Sequence, residues 1–303
     1  MPTVSAVVCA HTDKRWGYLV ETIESLRKQT HRLHDIILII DNNPALLERA
    51  RAAFVDIVVA PNRQGQGLPH ARNSGVAHAR GEIVAFIDDD AAAAPDWIEQ
   101  LIKPYAQPEV IGVGGGIVPN WDAGKPGWFP GEFNWVVGCS YIGMPTQDAP
   151  VRNTIGCNMS FRAKAFNAGG FMLGRVGSDT GQQHDDTEFC IRLSKNYPQT
   201  QIIYRPSAKV FHHVPAARST LSFLWARCFS EGKSKAKLAR IVGSDKGLST
   251  ERTYATRTLP VGVLRWLRDG IFKLQPSGFG RAYAIVAGFS ATALGYARGM
   301  IVR

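Results

Sequence analysis

The chain has 303 residues, 45% of them hydrophobic and 10% aromatic. This excludes a disordered polymer and leaves room for one large α/β domain with extensions or two modest domains. The net charge of +10 is uneven: residues 1–217 carry 20 Lys/Arg against 21 Asp/Glu, whereas 218–303 carry 15 against 4.

Met1 leads straight into TVSAVVCA (3–10), a valine-rich strand-like run with no room for a basic, apolar signal segment. Cys9, Cys139, Cys157, Cys190 and Cys228 show no CxxC spacing, which reads as reduced thiols rather than a disulfide frame. Both features predict a cytosolic protein. GYLVETIESLRKQT (17–30) places Leu19, Ile23 and Leu26 at helical spacing. DIILIID (35–41) and DIVVAP (56–61) read as strands around a helical PALLERARAAF (44–54). LPHARNSGVAHA (68–79) is helical after a glycine-rich loop, EIVAFID (82–88) is a further apolar strand, and PDWIEQLIKPY (95–105) opens with helix-start residues. Continuous apolar strands alternating with helices predict a mainly parallel sheet covered on both faces, with ligands at the carboxyl ends of its strands.

From about residue 108 the pattern changes. VIGVGGGIVPNW reads as a strand, and 119–150 is a long segment rich in Gly, Pro and Trp of the kind that builds lids or acceptor walls. DDTEFCIRLSKN (185–196) is helical and QIIYRPSAKVFHHV (201–214) strand-like. Beyond 218 the chain is basic and helical.

Asp88, Asp89 and Asp90 stand together where a buried strand ends. Three adjacent carboxylates repel one another, and one would suffice to cap a following helix. Strand alternation puts Asp88 and Asp90 on one side and Asp89 on the other, so that Asp88 and Asp90 make a hard oxygen site for Mg²⁺ or Mn²⁺. The loop PNRQGQGLPHARN has glycines that admit a close backbone approach but fails the dinucleotide pattern G-x-G-x-x-G. Arg72 in its helix can meet a nucleotide or pair with a carboxylate such as Asp88.

TVSAVVCAHT, LIIDNN and GLPHARNSGVAHARGEIVAFIDDD, in this order, resemble the amino half of a family 2 glycosyltransferase with the GT-A fold; the likeness runs from about residue 3 to 214. The resemblance implies an α/β nucleotide-binding fold with a mixed, mainly parallel central sheet. Its halves would be a nucleotide-sugar half (about 1–118) and an acceptor half (about 119–217), followed by a basic helical extension (218–303). It further implies an inverting transfer of sugar from a nucleoside-diphosphate donor, UDP-linked by preference, to a hydroxyl acceptor. On this likeness Asp90 ligates the metal directly, helped by Asp88 and His212, while Asp88 or Asp89 touches ribose or sugar. Base and ribose lie along Ala10, His11, Thr12 and Asp41, with Asp41 alternatively capping the turn DNNP. Arg72 belongs to the same nucleotide-binding set.

Asp185 and Asp186 open the helix DDTEFCIRL. In the family such a pair carries the catalytic base, which the resemblance places at Asp186 with Asp185 as its acidic neighbour; a nearby like charge raises one carboxyl toward working range. Glu188 is expected to face solvent or support the pair. Gly156, Cys157 and Asn158 match the segment lining the sugar and acceptor pocket. Trp121, Trp128 and Trp135 can stack on sugars or pack in a core.

Only 16 uncharged residues separate Arg281 from Arg298, fewer than the ~20 that span a bilayer, so this segment reads as interfacial, re-entrant or packed. With the positive excess beyond 218, an anionic membrane surface is the expected partner, at the inner face of the cell membrane, with a lipid-linked or cell-envelope glycan as acceptor. No nucleic-acid module is recognised. The competing readings are a metal-dependent nucleotidyltransferase, which lacks its basic triphosphate loop near the first strand, and a non-enzymatic membrane-binding module.

Overall fold

The computed structural model describes residues 1–171, 185–242 and 252–301. Its contacts divide into two compact units. Among described residues the first holds 1–118, 145–171 and 185–213, and the second holds 119–144, 214–242 and 252–301. The Gly/Pro/Trp-rich stretch up to 144 thus groups with the basic helices rather than with the sheet.

The first unit is built on one nine-stranded sheet of order β3-β2-β1-β4-β8-β6-β9-β5, with β7 beside β9. Strands β1 (Val4–Ala10), β2 (Asp35–Ile40), β3 (Val58–Pro61) and β4 (Ile83–Asp88) form the expected parallel half. Helices α1 (Trp16–Arg27), α2 (Pro44–Ala53) and α3 (Leu68–His78) connect them. The strands are continuous apolar runs because both faces are covered; Ile37, Leu38 and Ile39 are all inaccessible to solvent. Strand β5 (Ala91–Ala93) and helix α4 (Trp97–Ile102) follow, then β6 (Val110–Trp121), β7 (Ala149–Val151), β8 (Asn158–Arg162), α5 (Asp185–Asn196) and β9 (Gln201–Val214). Strand β8 runs antiparallel to both β4 and β6, and β5 antiparallel to β9. The sheet is therefore mixed, as the resemblance implies. A core of Val7, Ile39, Phe86, Phe161, Phe171 and Phe189 packs α3 and α5 beneath the strand ends that carry the site.

Asn158 shows how sequence expectation and packing part. It is inaccessible, its Oδ1 accepts the Trp97 indole N–H at 2.8 Å, and its amide donates to the carbonyls of Gly116 (2.9 Å) and Ala208 (2.8 Å). Its amide is consumed in stitching β8 to β6 and β9, so its expected place in a sugar or acceptor pocket is corrected to a structural one.

In the second unit, a short helical stretch (Gly131–Val137) precedes α6 (Leu221–Val242), α7 (Leu259–Phe272) and α8 (Ser277–Ile301). Helices α6 and α8 approach backbone to backbone: a Cβ on Gly295 would lie 2.0 Å from the Phe229 carbonyl, and one on Gly232 2.1 Å from the Thr292 carbonyl. Only glycine fits either place. The buried Glu132 carboxylate accepts from Arg265 (2.7 Å) and the Trp266 indole (3.2 Å). Trp121 and Trp128 pack on Phe129 and Trp135 on Phe133, and all three remain half-buried. Residues 243–251 and 302–303 of the basic extension lie outside the described residues.

Candidate active site

At the carboxyl edge of the parallel strands, β1 ends at Ala10 and β2 runs into Asp41, whose N–H donates to the Ala10 carbonyl at 2.8 Å. The Asp41 carboxylate accepts from the Asn62 amide (2.7 Å) and the Gly67 N–H (2.8 Å), pinning the glycine-rich loop against the strand ends. Gly67 itself has φ +117, a conformation that side chains disfavour. Asp41 therefore does not cap the next helix; Asn43 does, accepting from the Leu46 N–H. His11 is exposed, and Thr12 accepts from the Lys14 N–H.

Strand β4 ends at Asp88, opposite Cys9, and the chain turns at Asp89 and Asp90 before β5. The turn voids the strand alternation expected for the three carboxylates. Instead, one guanidinium nitrogen of Arg15 lies 2.9 Å from both Asp89 and Asp90, while Asp88 faces Arg72 at 3.7 Å. Pairing of Ala91 with His212 sets that imidazole beside the turn, its Nε2 3.3 Å from Asp90. His213 points elsewhere: it stacks on Tyr18 and meets Glu21. The two histidines divide as strand alternation requires.

The second acidic pair arrives on α5. Asp185 binds the Arg72 guanidinium at 2.7 Å, with both side chains buried. Asp186 accepts from the N–H groups of Gly156 (3.0 Å) and Thr187 (2.7 Å) at the helix start. Gly156 also gives its carbonyl to Arg72 at 3.2 Å, and a Cβ there would lie 2.6 Å from the guanidinium. Arg72 thus spans Asp88, Gly156 and Asp185, so the two acidic groups, a hundred residues apart in sequence, stand one guanidinium apart. Glu188 is buried and clamped by Arg192 at 3.0 Å, so the expectation that it faces solvent is corrected. The same arginine donates to the carbonyls of Ala168, Gly169 and Gly170, so this pair fastens the preceding segment.

Five carboxyl groups (Asp88, Asp89, Asp90, Asp185, Asp186) are gathered around two guanidinium groups, an excess of negative charge. Burial pushes the Asp88 carboxyl up, Arg72 opposes this, and Asp90 adds to it. Burial, reinforced by Asp90 and resisted by Arg15, pushes Asp89 up to about 7. One oxygen of Asp89, Oδ2, is buried without a hydrogen-bond partner. Ligand atoms of Asp88, Cys157 and His212 lie within 4.8 Å of one another. Excess carboxylate, an imidazole and an orphaned oxygen fit a divalent cation; oxygen and nitrogen donors suit Mn²⁺ or Mg²⁺, while the Cys157 sulfur is softer than either prefers.

Arg15 is the charged member of this cluster that no motif announces. Its only signal is a cation just beyond β1 in a chain whose acidic triplet needs local counter-charge. Ala10, His11, Thr12, Asp41, Arg72, Asp88, Asp89, Asp90, Gly156, Cys157, Asp185, Asp186 and His212 all belong to the first unit.

The family description "Glycosyl transferase family 2" matches residues 5–170. A "Glucosyl-dolichyl phosphate glucuronosyltransferase" of Haloferax volcanii is 38% identical over 241 residues, 77% of this chain and 76% of that protein. Among solved structures, a mannosyltransferase from Pyrobaculum calidifontis in complex with GDP-Man and Mn²⁺ superposes with a TM-score of 0.58 at 16% identity, covering 97% of this chain and 87% of that one. GalNAc-T7 with UDP, GalNAc and Mn²⁺ gives 0.54 at 16% identity, over 83% of this chain and 55% of that one. These two likenesses speak to the fold, which is that of the GT-A glycosyltransferases. The match over more than half its length, together with the Haloferax relative, makes this chain a member of glycosyltransferase family 2.

Proposed function

We propose that the enzyme moves a sugar from a nucleoside-diphosphate sugar, UDP-linked by preference, to a hydroxyl on a lipid-linked or cell-envelope glycan, inverting the anomeric centre. One observation carries this reading: Arg72 joins Asp88 of the donor-side triplet to Asp185 of the Asp185–Asp186 pair, so that the two acidic groups stand beside one guanidinium. Base and ribose lie along Ala10, His11, Thr12 and Asp41, at the carboxyl ends of β1 and β2. Asp88, Asp90 and His212 would hold the divalent ion, with Cys157 at its edge. That ion, Mn²⁺ or Mg²⁺, supplies Lewis-acid stabilisation of the diphosphate charge. The Mn²⁺ named with both solved relatives is in keeping with it.

Asp186 takes the proton from the acceptor hydroxyl as that oxygen bonds to the anomeric carbon. The bond from that carbon to the diphosphate oxygen breaks, and the nucleoside diphosphate leaves with the electron pair. The N–H groups of Gly156 and Thr187 fix the Asp186 carboxylate in place. Arg72 neutralises Asp185 next to it, so the pair does not repel the incoming diphosphate. A lipid-linked acceptor agrees with the glucosyl-dolichyl phosphate in the name of the Haloferax relative, and it suits a protein resting on the inner face of the cell membrane.

The test is thermal stability with UDP plus Mn²⁺, followed by EDTA, alongside transfer assays across nucleotide sugars. A metal-dependent rise in Tm is expected. Asp186→Asn should abolish transfer and keep that rise; equal loss of both removes Asp186 from the role of base. A response confined to nucleoside triphosphates would point to nucleotidyl transfer instead.

A further inference from the structure

Helix α8 has two unlike faces. Gly278, Ala282, Ala284, Ile285, Gly288, Ala291 and Gly295 are buried. The opposite stripe of Phe279, Tyr283, Val286, Phe289, Leu294 and Met300, at spacings of three to six, is about half exposed throughout and carries no charge. Helix α7 presents a second stripe in Val261, Leu264, Ile271 and Phe272. The turn between them ends in Phe272, 81% exposed, and Leu274, 84% exposed with φ +51, a conformation unusual for leucine. So much contiguous apolar surface on one helical hairpin marks an interaction site.

Charge identifies what covers it. Residues 257–301 contain six Lys/Arg and a single acid, Asp269, which Arg268 and Lys273 share, while Arg265 is paired with Glu132. A second copy of the chain seated on this face would bring those cations against their equals. An anionic phospholipid surface suits both the apolar stripes and the positive excess of the same segment.

Length alone would let α8 cross a bilayer: its 25 residues reach about 37 Å at 1.5 Å each. Its packing argues against crossing. Gly295 and Gly232 hold α8 backbone to backbone with α6, and Gly299 lies over Lys233 and Ala236. At that level α6 carries Glu231, Lys233, Lys235 and Lys237. A crossing α8 would draw these charges into hydrocarbon.

We propose that the α7–α8 hairpin lies along an anionic phospholipid surface, with Phe272 and Leu274 inserted as its tip and the uncharged stripe of α8 resting on the acyl boundary. This deepens the reading of a membrane-bound acceptor, and its test does not depend on transfer. The full chain is floated with phosphatidylcholine vesicles and with vesicles containing one third phosphatidylglycerol. Flotation is expected with the anionic vesicles and should weaken as salt rises.

The double variant Phe272→Asp/Leu274→Asp should lower the bound fraction at least tenfold. Val55→Asp, at a residue 85% exposed in the turn after α2, should leave it unchanged. Because both tip residues are solvent-facing, the double variant should melt like the wild type and keep its response to UDP plus Mn²⁺. A fluorophore on Leu274→Cys should shift to the blue on anionic vesicles, and one on Val55→Cys should not. Wild-type protein that stays with the solvent, or a double variant that floats equally well, overturns the proposal. Loss of the nucleotide response with flotation intact would instead count against the transferase reading.

Discussion

Replacing Arg72 with alanine is the sharpest perturbation of the site. The side chain is buried, ion-paired to Asp185 at 2.7 Å and near Asp88 at 3.7 Å, and hydrogen-bonded to the Gly156 carbonyl at 3.2 Å. Removing one member of a buried ion pair destabilises by about 3–5 kcal/mol, because the other charge is left uncompensated. For a unit of this size, roughly 2–4 °C accompany each kcal/mol, so Tm should fall on the order of 10 °C. Arg72→Lys keeps a point charge but lacks the fork that reaches all three partners, and should recover only part of the loss.

The deficit should also depend on pH. Burial already pushes the Asp88 carboxyl above its ordinary value, and Arg72 opposes that shift. Without Arg72 the folded-state pKa climbs further above the unfolded value of about 3.9. An acid shifted in this direction does not penalise folding below the unfolded pKa. The penalty grows as pH rises toward the folded pKa and is complete above it. The variant's deficit should therefore be larger at alkaline pH and shrink as pH falls toward the unfolded carboxyl value. Melting curves of both proteins across that range decide the matter. A variant within about 1 kcal/mol of wild type, with no pH trend, would refute the view that Arg72 joins the two acidic groups.

Asp89 offers a second titration. With its carboxyl at about 7 in the fold, the metal-free protein should lose stability between about pH 4 and 7 from this group, with a ceiling of about 4 kcal/mol. Asp89→Asn should flatten that slope and raise Tm at pH 8 in EDTA; an unchanged slope would place the strain elsewhere. Asn158→Ala should lower stability by at least about 2 kcal/mol, since it strands the Trp97 indole and two buried carbonyls. The KM for donor and acceptor should stay as in wild type, and a changed KM with normal melting would restore Asn158 to the pocket.

Much of the first unit could be read before folding, for identifiable reasons. Strands buried on both faces betray themselves as unbroken apolar runs, and α5 and β9 occur at the residues their periodicity indicates. Strand β5 was hidden because Ala91–Ala93 has no strand preference of its own; its form comes from pairing with β9. Yet that pairing is what sets His212 beside Asp90. The acidic groups were legible as clusters, but not their partners: neither Arg15 nor the Gly156 bridge follows from spacing. Asn158 and Glu188 show the opposite failure. A polar residue within a functional motif points to solvent or substrate by sequence alone, whereas hydrogen bonds take both of these into the interior.

The contacts of the second unit bear on how its helices can be studied. Phe133 fills the notch at Gly288, and Glu132 is neutralised by Arg265 from α7. A chain shortened at 218 would strand that carboxylate and bare the aromatic ring, so its aggregation would say nothing about lipid. Single substitutions at the hairpin tip leave this scaffold whole, and shortened forms are unsuited to the question.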